Sequence, residues 1–165
     1  MALLLTLRPN KNFLEAVGKV TVEFAKLESE ISAFIAILIG QNDRIIGNMV
    51  TSELGFRQLH SLLKSLYRHK VSEQSKVVEL ESLLKICEGL SLQRNTVVHS
   101  EWSTYGEMEE AKRHKSRSKF KKGFISETKT VPIKELHVLA GSIEDAAIQI
   151  AQLRIRYSEE NIAAA

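Results

Sequence analysis

Cysteine, proline and long apolar runs are all scarce in this chain of 165 residues. The single cysteine, Cys87, excludes an internal disulfide and favours a reducing compartment such as the cytoplasm. It lies among leucines, so we expect a small core residue rather than a nucleophile. Only two prolines and eight glycines interrupt the chain, which favours long elements over short strands.

No segment has the composition of a membrane span or an export signal. The run at residues 31–39 is about half as long as a bilayer crossing requires. Residues 1–7 are apolar, but no basic residue precedes them and the run ends at Arg8-Pro9, too short for a signal peptide. We therefore expect a soluble, cytoplasmic protein with no membrane partner, and one domain over residues 1–165 with a sizeable core.

The motifs of cofactor and metal sites are also missing. The chain has no glycine-rich phosphate loop, no nucleophile elbow and no cysteine pair. Four histidines lack the spacing and the acidic or thiol companions of a metal site. They are His60, His69, His114 and His137. We expect neither a cofactor nor a metal.

Positive charge is concentrated in one stretch. Seven cations occupy eleven residues that contain no acid. They are Lys112, Arg113, Lys115, Arg117, Lys119, Lys121 and Lys122. Without these seven, 16 of the 23 basic residues remain against 20 acidic ones, so the rest of the chain carries a net charge of −4. Such local basicity favours a surface for a polyanion such as RNA, and a solvated basic loop is the alternative.

Apolar residues recur at three- and four-residue steps in the first half of the chain, which predicts amphipathic helices. The first helix is predicted from Asn10 to about Ile39, ending at Gly40. Its apolar stripe is Leu14, Val17, Val20, Phe24, Leu27, Ile31, Phe34 or Ile35, and Leu38. A second helical region covers 44–70, with Gly55 as a possible break.

Two further helices are predicted on either side of an irregular segment. One runs from Glu73 to about His99, with Ser72 as its N-cap. Its stripe is Leu80, Leu83, Leu84, Cys87, Leu90 and Val98. The last begins with Pro132 in its first turn. Its stripe is Ile133, Leu136, Leu139, Ile143, Ala147, Ile150 and Leu153.

The helical period disappears between Glu101 and Val131. β-branched and aromatic residues near Gly106 and Gly123 favour a small insertion of two or three strands, with the basic run in its loop. A flexible basic loop is the alternative. The predicted fold is thus mainly all-α: an antiparallel four-helix bundle with a small β-hairpin or irregular basic insertion, roughly 101–131, before the last helix.

The segment Arg94–Trp102 contains polar groups where the helix pattern asks for packing. Projected at about 100° per residue, Arg94 falls within roughly 60° of the apolar stripe of its helix. Asn95 and His99, four residues apart, share an adjoining face. Arg94 and His99 are about 140° apart on the same projection, so one straight helix would not direct both at one atom. A kink, or a second copy of the helix, would.

These residue types suit metal-independent cleavage of RNA. Arg94 is permanently cationic and can bind a phosphate in a forked geometry. His99 titrates near neutral pH, so it can take a proton from a ribose 2′-OH or give one to the leaving 5′-oxygen. Asn95 can orient the imidazole or bind phosphate or ribose. The expected products are a 2′,3′-cyclic phosphate and a 5′-OH end.

The sequence Arg94-Asn95-x-x-x-His99 resembles the Arg-polar-x(3–5)-His signature of the HEPN superfamily, and the long helices before it resemble that family's bundle. The resemblance implies an all-α protein that forms a homodimer, with two signatures facing one cleft. It implies a metal-independent ribonuclease, such as a toxin with a cognate antitoxin protein or an antiphage effector. Some members are inactive binding modules, so an RNA-, nucleotide- or partner-binding protein is the alternative. The insertion at 101–131 departs from the minimal bundle.

Purely structural roles for the same residues remain open at this stage. Arg94 could pair with a core carboxylate such as Glu28 or Glu30, and His99 could cap the end of its helix. Trp102 could stack on an RNA base or close the end of the bundle. If the protein is an oligomeric scaffold with no catalytic site, these residues have only such structural roles.

Overall fold

The computed structural model describes residues 10–40, 44–104, 106, 108–119 and 123–163. These residues form five helices and one small sheet. The helices are α1 (Lys11–Ile39), α2 (Arg44–Thr51), α3 (Phe56–Lys70), α4 (Gln74–Val98) and α5 (Ile133–Ala163). The strands are β1 (Glu101–Thr104), β2 (Glu110–Lys119) and β3 (Gly123–Pro132). The prediction of a mainly helical protein with a small β insertion is confirmed.

The core lies between the long helices. Helix α1 packs most extensively on α5, and it also contacts α3 and α4, while α4 contacts both α3 and α5. On α5, all seven residues of the predicted apolar stripe are buried. On α1 the stripe is buried from Val20 onward, but Leu14 is 51% exposed and its neighbour Phe13 is buried instead. Within the described parts of the chain, no helix combines the length and apolar content that a membrane crossing requires.

Local contacts determine where α1 and α3 begin. The side chain of Asn10 accepts a hydrogen bond from the Phe13 N–H at 3.1 Å and so caps α1. Its amide group also donates to the backbone oxygens of Gly106 and Met108, which ties the start of α1 to the β insertion. At α3, the backbone N–H of Gly55 donates to the side-chain oxygen of Gln58 at 3.0 Å.

The region 44–70 is two helices, as the possible break at Gly55 indicated: the chain leaves helical geometry after Thr51 and restarts at Phe56. Other predicted boundaries were wrong. Glu73, not Ser72, is the N-cap of α4. Pro132 is the last residue of β3 rather than part of the first turn of α5. Near the end of α4, Val97 is buried and Val98 only half-buried.

The described part of the basic run lies in a strand and not in a loop. Residues 112–119 belong to β2, which pairs antiparallel with β1 on one side and β3 on the other. Lys121 and Lys122 fall outside the described residues, and only the strand position is described for 117 and 119. The basic run was assigned to the loop of the insertion because β2 carries polar residues on both faces. It therefore lacks the alternation of apolar residues that marks a strand.

Candidate functional site

The guanidinium of Arg94 lies at the junction of α1, α3 and α4. Leu90 and Ser91, on the same side of α4, are buried, whereas Arg94 is half-buried. Its Cζ atom lies 5.0 Å from the centroid of the Phe24 ring, which is a cation–π distance. In a purely structural ion pair, a carboxylate would lie against this guanidinium. Here the guanidinium lies against the Phe24 ring instead.

Hydrogen bonding leaves part of this guanidinium unused. Nη1 donates to the side-chain oxygen of Asn95 at 3.1 Å. Nε is buried and has no hydrogen-bond partner in the described chain. A buried donor without a partner has a free-energy cost, which a ligand that accepts this hydrogen bond would remove. The Arg94-Asn95 pair thus presents donors that protein groups do not satisfy.

The two carboxylates considered as partners of Arg94 behave differently. Glu30 pairs instead with Arg154, at 3.0 Å from Nη2, so that assignment was wrong. Glu28 is close enough to interact electrostatically with Arg94, but no ion pair joins them within 4.0 Å. Burial raises the pKa of the Glu28 carboxyl, and the positive charge of Arg94 and a backbone hydrogen bond from Phe56 oppose that shift.

A cavity of about 440 Å³ opens beside Arg94. Its size is within the range of small-ligand sites. Helices α1, α3 and α4 all contribute to its wall, together with the turn before α3. The lining residues are Phe24, Glu28, Gly55, Phe56, Arg57, Gln58, Ser91, Arg94 and Asn95. Two cations, one carboxyl group, amide groups and aromatic rings therefore surround one solvent-open space, and the excess of positive charge suits a phosphate attached to an organic group.

His99 lies at the end of α4, outside this cavity. It is the C-cap residue, exposed, and its backbone N–H donates to the Asn95 oxygen at 3.1 Å. The backbone capping role considered for it is therefore present, and its imidazole is left on the surface. Helix α4 continues through Gly89 without interruption. Within one chain, the structure brings Arg94 and Asn95 together and leaves His99 apart from the cavity.

The predicted RNA-contacting residues that the structure describes lie on the sheet. The Trp102 indole is half-buried, 5.3 Å from the Phe13 ring, and its Nε1–H donates to the Val97 oxygen at 2.8 Å. This is the contact expected of a residue that closes one end of the core. On β2, Lys112 is exposed, and Arg113 and Lys115 are half-buried.

Replacing Glu28 with glutamine is expected to raise the unfolding temperature at pH 7. A carboxyl whose pKa is raised by folding contributes stability that is present below its unfolded pKa and is lost as pH rises through the folded pKa. Glutamine removes that loss, so the difference between variant and wild type should shrink as pH falls toward about 4. Thermal denaturation between pH 4 and 8 measures it. Glu88→Gln, an exposed change of the same type, is the control, and a Glu28→Gln protein less stable than wild type at pH 7 would contradict the expectation.

Sequence reasoning named Glu28 as a possible partner of Arg94 but missed Phe24 as a residue of this site. Phe24 and Glu28 are four residues apart, so they lie on one side of α1, facing Arg94. The sequence shows their spacing, but not that this side of α1 meets α4 at Arg94. Comparison of the chain with family models, curated proteins and solved structures gives no significant match.

Proposed function

We propose that this protein is a metal-independent endoribonuclease of the HEPN type, acting as a homodimer. The observation that carries the proposal is the state of Arg94. Its guanidinium lies in a solvent-open cavity, and among the described residues it has no carboxylate within ion-pair distance and no acceptor for its buried Nε–H. A cation held in this way is available to bind a phosphate.

Arg94 and Asn95 form the phosphate-binding half of the proposed site. The hydrogen bond between them and the Phe24 ring beneath Arg94 restrict the guanidinium to one orientation. A preorganised cation stabilises the negative charge that grows on the nonbridging oxygens as the 2′-oxygen attacks phosphorus. Glu28 lies in the same cavity, but it forms no ion pair with Arg94.

His99 supplies the proton transfer, and we assign it to the second copy of the chain. It is exposed at the end of α4 and absent from the cavity of its own chain, so it can reach across an interface. In the reaction the 2′-oxygen bonds to phosphorus and the P–O5′ bond breaks. His99 either takes the 2′-OH proton or gives a proton to the 5′-oxygen, and solvent water carries out the other transfer, so the products are a 2′,3′-cyclic phosphate and a 5′-OH end.

Strand β2 provides a second, separate surface for the RNA backbone. Arg113 and Lys115 lie on one face of the strand and Lys112 on the other, and cations placed two residues apart bind a phosphate chain with release of counterions. An RNA-cleaving protein of this kind would act as a toxin or defence effector in the cytoplasm, and a cognate antitoxin protein would be its partner.

A catalytically silent binding module is the second candidate. The position of His99 outside the Arg94 cavity favours it, because the cavity then has cations to bind an anion but lacks the histidine proposed to transfer the proton. The two functions predict the same binding and different fates of the RNA.

Incubation of the protein with total RNA in EDTA tests the proposal. We expect fragments with 2′,3′-cyclic phosphate and 5′-OH ends, identified by the enzymes that ligate or phosphorylate each kind of end. DNA of the same sequence should remain intact because it has no 2′-OH. Recovery of intact RNA that is nonetheless bound would support the silent module. If the protein neither binds nor cleaves RNA, both candidate functions are wrong.

A further inference from the structure

A second cavity lies against the sheet, on another side of α4. Its volume is about 310 Å³, at the lower end of small-ligand sites. Gln93, Thr96 and Val97 of α4 line it, whereas Ser91, Arg94 and Asn95 line the first cavity. On an ideal helix these two sets point about 160° apart. The second cavity is therefore a separate place on the molecule.

The strand register builds one wall of this cavity. Trp102 is paired with Arg113 and Arg113 with Lys129, so one residue from each strand forms a row across the sheet. The next row on the same face consists of Thr104, Ala111 and Val131, all of them buried. All three residues of the first row line the cavity.

Two like charges thus stand directly opposite each other on neighbouring strands. Arg113 and Lys129 destabilise the sheet in this position, because cross-strand like charges repel. No carboxylate of the described residues forms an ion pair with either of them, Glu135 at the cavity wall included. The Nε of Arg113 is also buried without a hydrogen-bond partner. An anion bound between the two cations would offset their repulsion.

The walls away from the sheet combine polar residues (Gln93, Thr96 and Glu135) with an apolar patch. Val97, Leu136 and Leu139 lie opposite the sheet, and the indole of Trp102 borders them. Its hydrogen bond to the Val97 oxygen and its contact with Phe13 fix the indole in place. A fixed aromatic surface beside hydrocarbon suits a flat ring system, and the adjacent pair of cations suits a phosphate.

We propose that this cavity binds one nucleotide, with its phosphate between Arg113 and Lys129 and its base against Trp102 and the apolar wall. The nucleotide is either a free nucleoside monophosphate or one unit of an RNA strand. The assignment does not depend on RNA cleavage at Arg94, since the two cavities share no lining residue.

Trp102 is the only tryptophan in the chain, so its fluorescence reports on this cavity directly. The experiment titrates wild-type protein with uridine and adenosine monophosphates, and in a second arm with a 2′-O-methyl RNA that cannot be cleaved. We expect a saturable change in emission. Saturation with the monophosphates identifies a free-nucleotide site, and saturation with the 2′-O-methyl RNA alone identifies a strand-binding site. No saturable change in either arm would overturn the proposal.

Charge-removing variants tie the binding to this cavity. Lys129→Gln and Arg113→Gln should each weaken binding at least ten-fold, whereas Lys70→Gln, an exposed change of the same charge elsewhere, should leave it unchanged. Lys129→Gln should at the same time raise the unfolding temperature of the free protein, because it removes the repulsion. A merely structural lysine would not show these opposite effects. Equal binding by Lys129→Gln and Lys70→Gln would refute the assignment.

Arg94→Ala separates this site from the proposed nuclease. It should abolish RNA cleavage and leave the titration of Trp102 with monophosphates as in wild type. Loss of the monophosphate titration in Arg94→Ala would assign the ligand to the first cavity instead and overturn the proposal.

Discussion

Replacing His99 with alanine is expected to slow RNA cleavage by about 10²–10⁴-fold, the usual contribution of a positioned acid or base. The fold should be unaffected, because His99 is exposed and its capping hydrogen bond uses the backbone N–H. Its stability should therefore stay within about 0.5 kcal/mol of wild type. Initial rates on a defined RNA and a denaturation curve for each protein measure the two quantities.

His69→Ala is the matched control, since His69 is also exposed near the end of a helix. It should cleave RNA at the wild-type rate. Arg94→Lys adds a second comparison: it keeps the charge beside Phe24 but loses the planar fork, so cleavage should fall although the cation remains. Unchanged cleavage by His99→Ala would remove His99 from the mechanism.

Mixing two inactive variants tests whether the site is shared between copies. In a heterodimer of Arg94→Ala and His99→Ala, one of the two sites receives an intact Arg94 from one copy and an intact His99 from the other. Random pairing should therefore restore about a quarter of the wild-type rate if the protein is a dimer. A mixture as inactive as its components would show that both residues act within a single chain. That result would contradict the assignment of His99 to the second copy.

Sequence periodicity predicted the long helices because each buries one continuous stripe. The stripe of α5 is fully buried, and its residues keep helical spacing over its whole length. At the start of α1 the same reasoning assigned Leu14 rather than Phe13 to the core, because spacing alone does not distinguish between two neighbouring apolar residues. The side chain of Asn10 caps the helix, and the Phe13 ring packs on Trp102, a contact that spacing within α1 does not reveal.

The candidate site was predictable only along α4. Periodicity placed Arg94 on the packed side of the helix and His99 away from it, and the structure agrees with both placements. The partner of Arg94 was not predictable, because Phe24 and Glu30 both lie on α1 and only the packing of α1 against α4 selects the ring. The row of Trp102, Arg113 and Lys129 was equally hidden, since it depends on strand register.

Among the variants predicted here, removal of the Phe34 ring is expected to cause the largest loss in the free energy of unfolding. Phe34 is fully buried on α1, 5.6 Å from the Tyr67 ring of α3 and 5.9 Å from the Tyr157 ring of α5. Phe34→Ala should cost about 3–5 kcal/mol, because it loses transfer free energy and leaves a cavity. That is a large part of the roughly 5–15 kcal/mol that stabilises a typical domain.

Leu14→Ala is the control on the same helix, and it tests the structure directly against the sequence pattern. The pattern assigned Leu14 to the core, where its loss would cost about 2–5 kcal/mol. The structure leaves it 51% exposed, so we expect a cost below about 1 kcal/mol. Urea denaturation of both variants measures the difference. Similar losses for the two would mean that α1 is rotated about its axis relative to this structure, which would also move Phe24 away from Arg94.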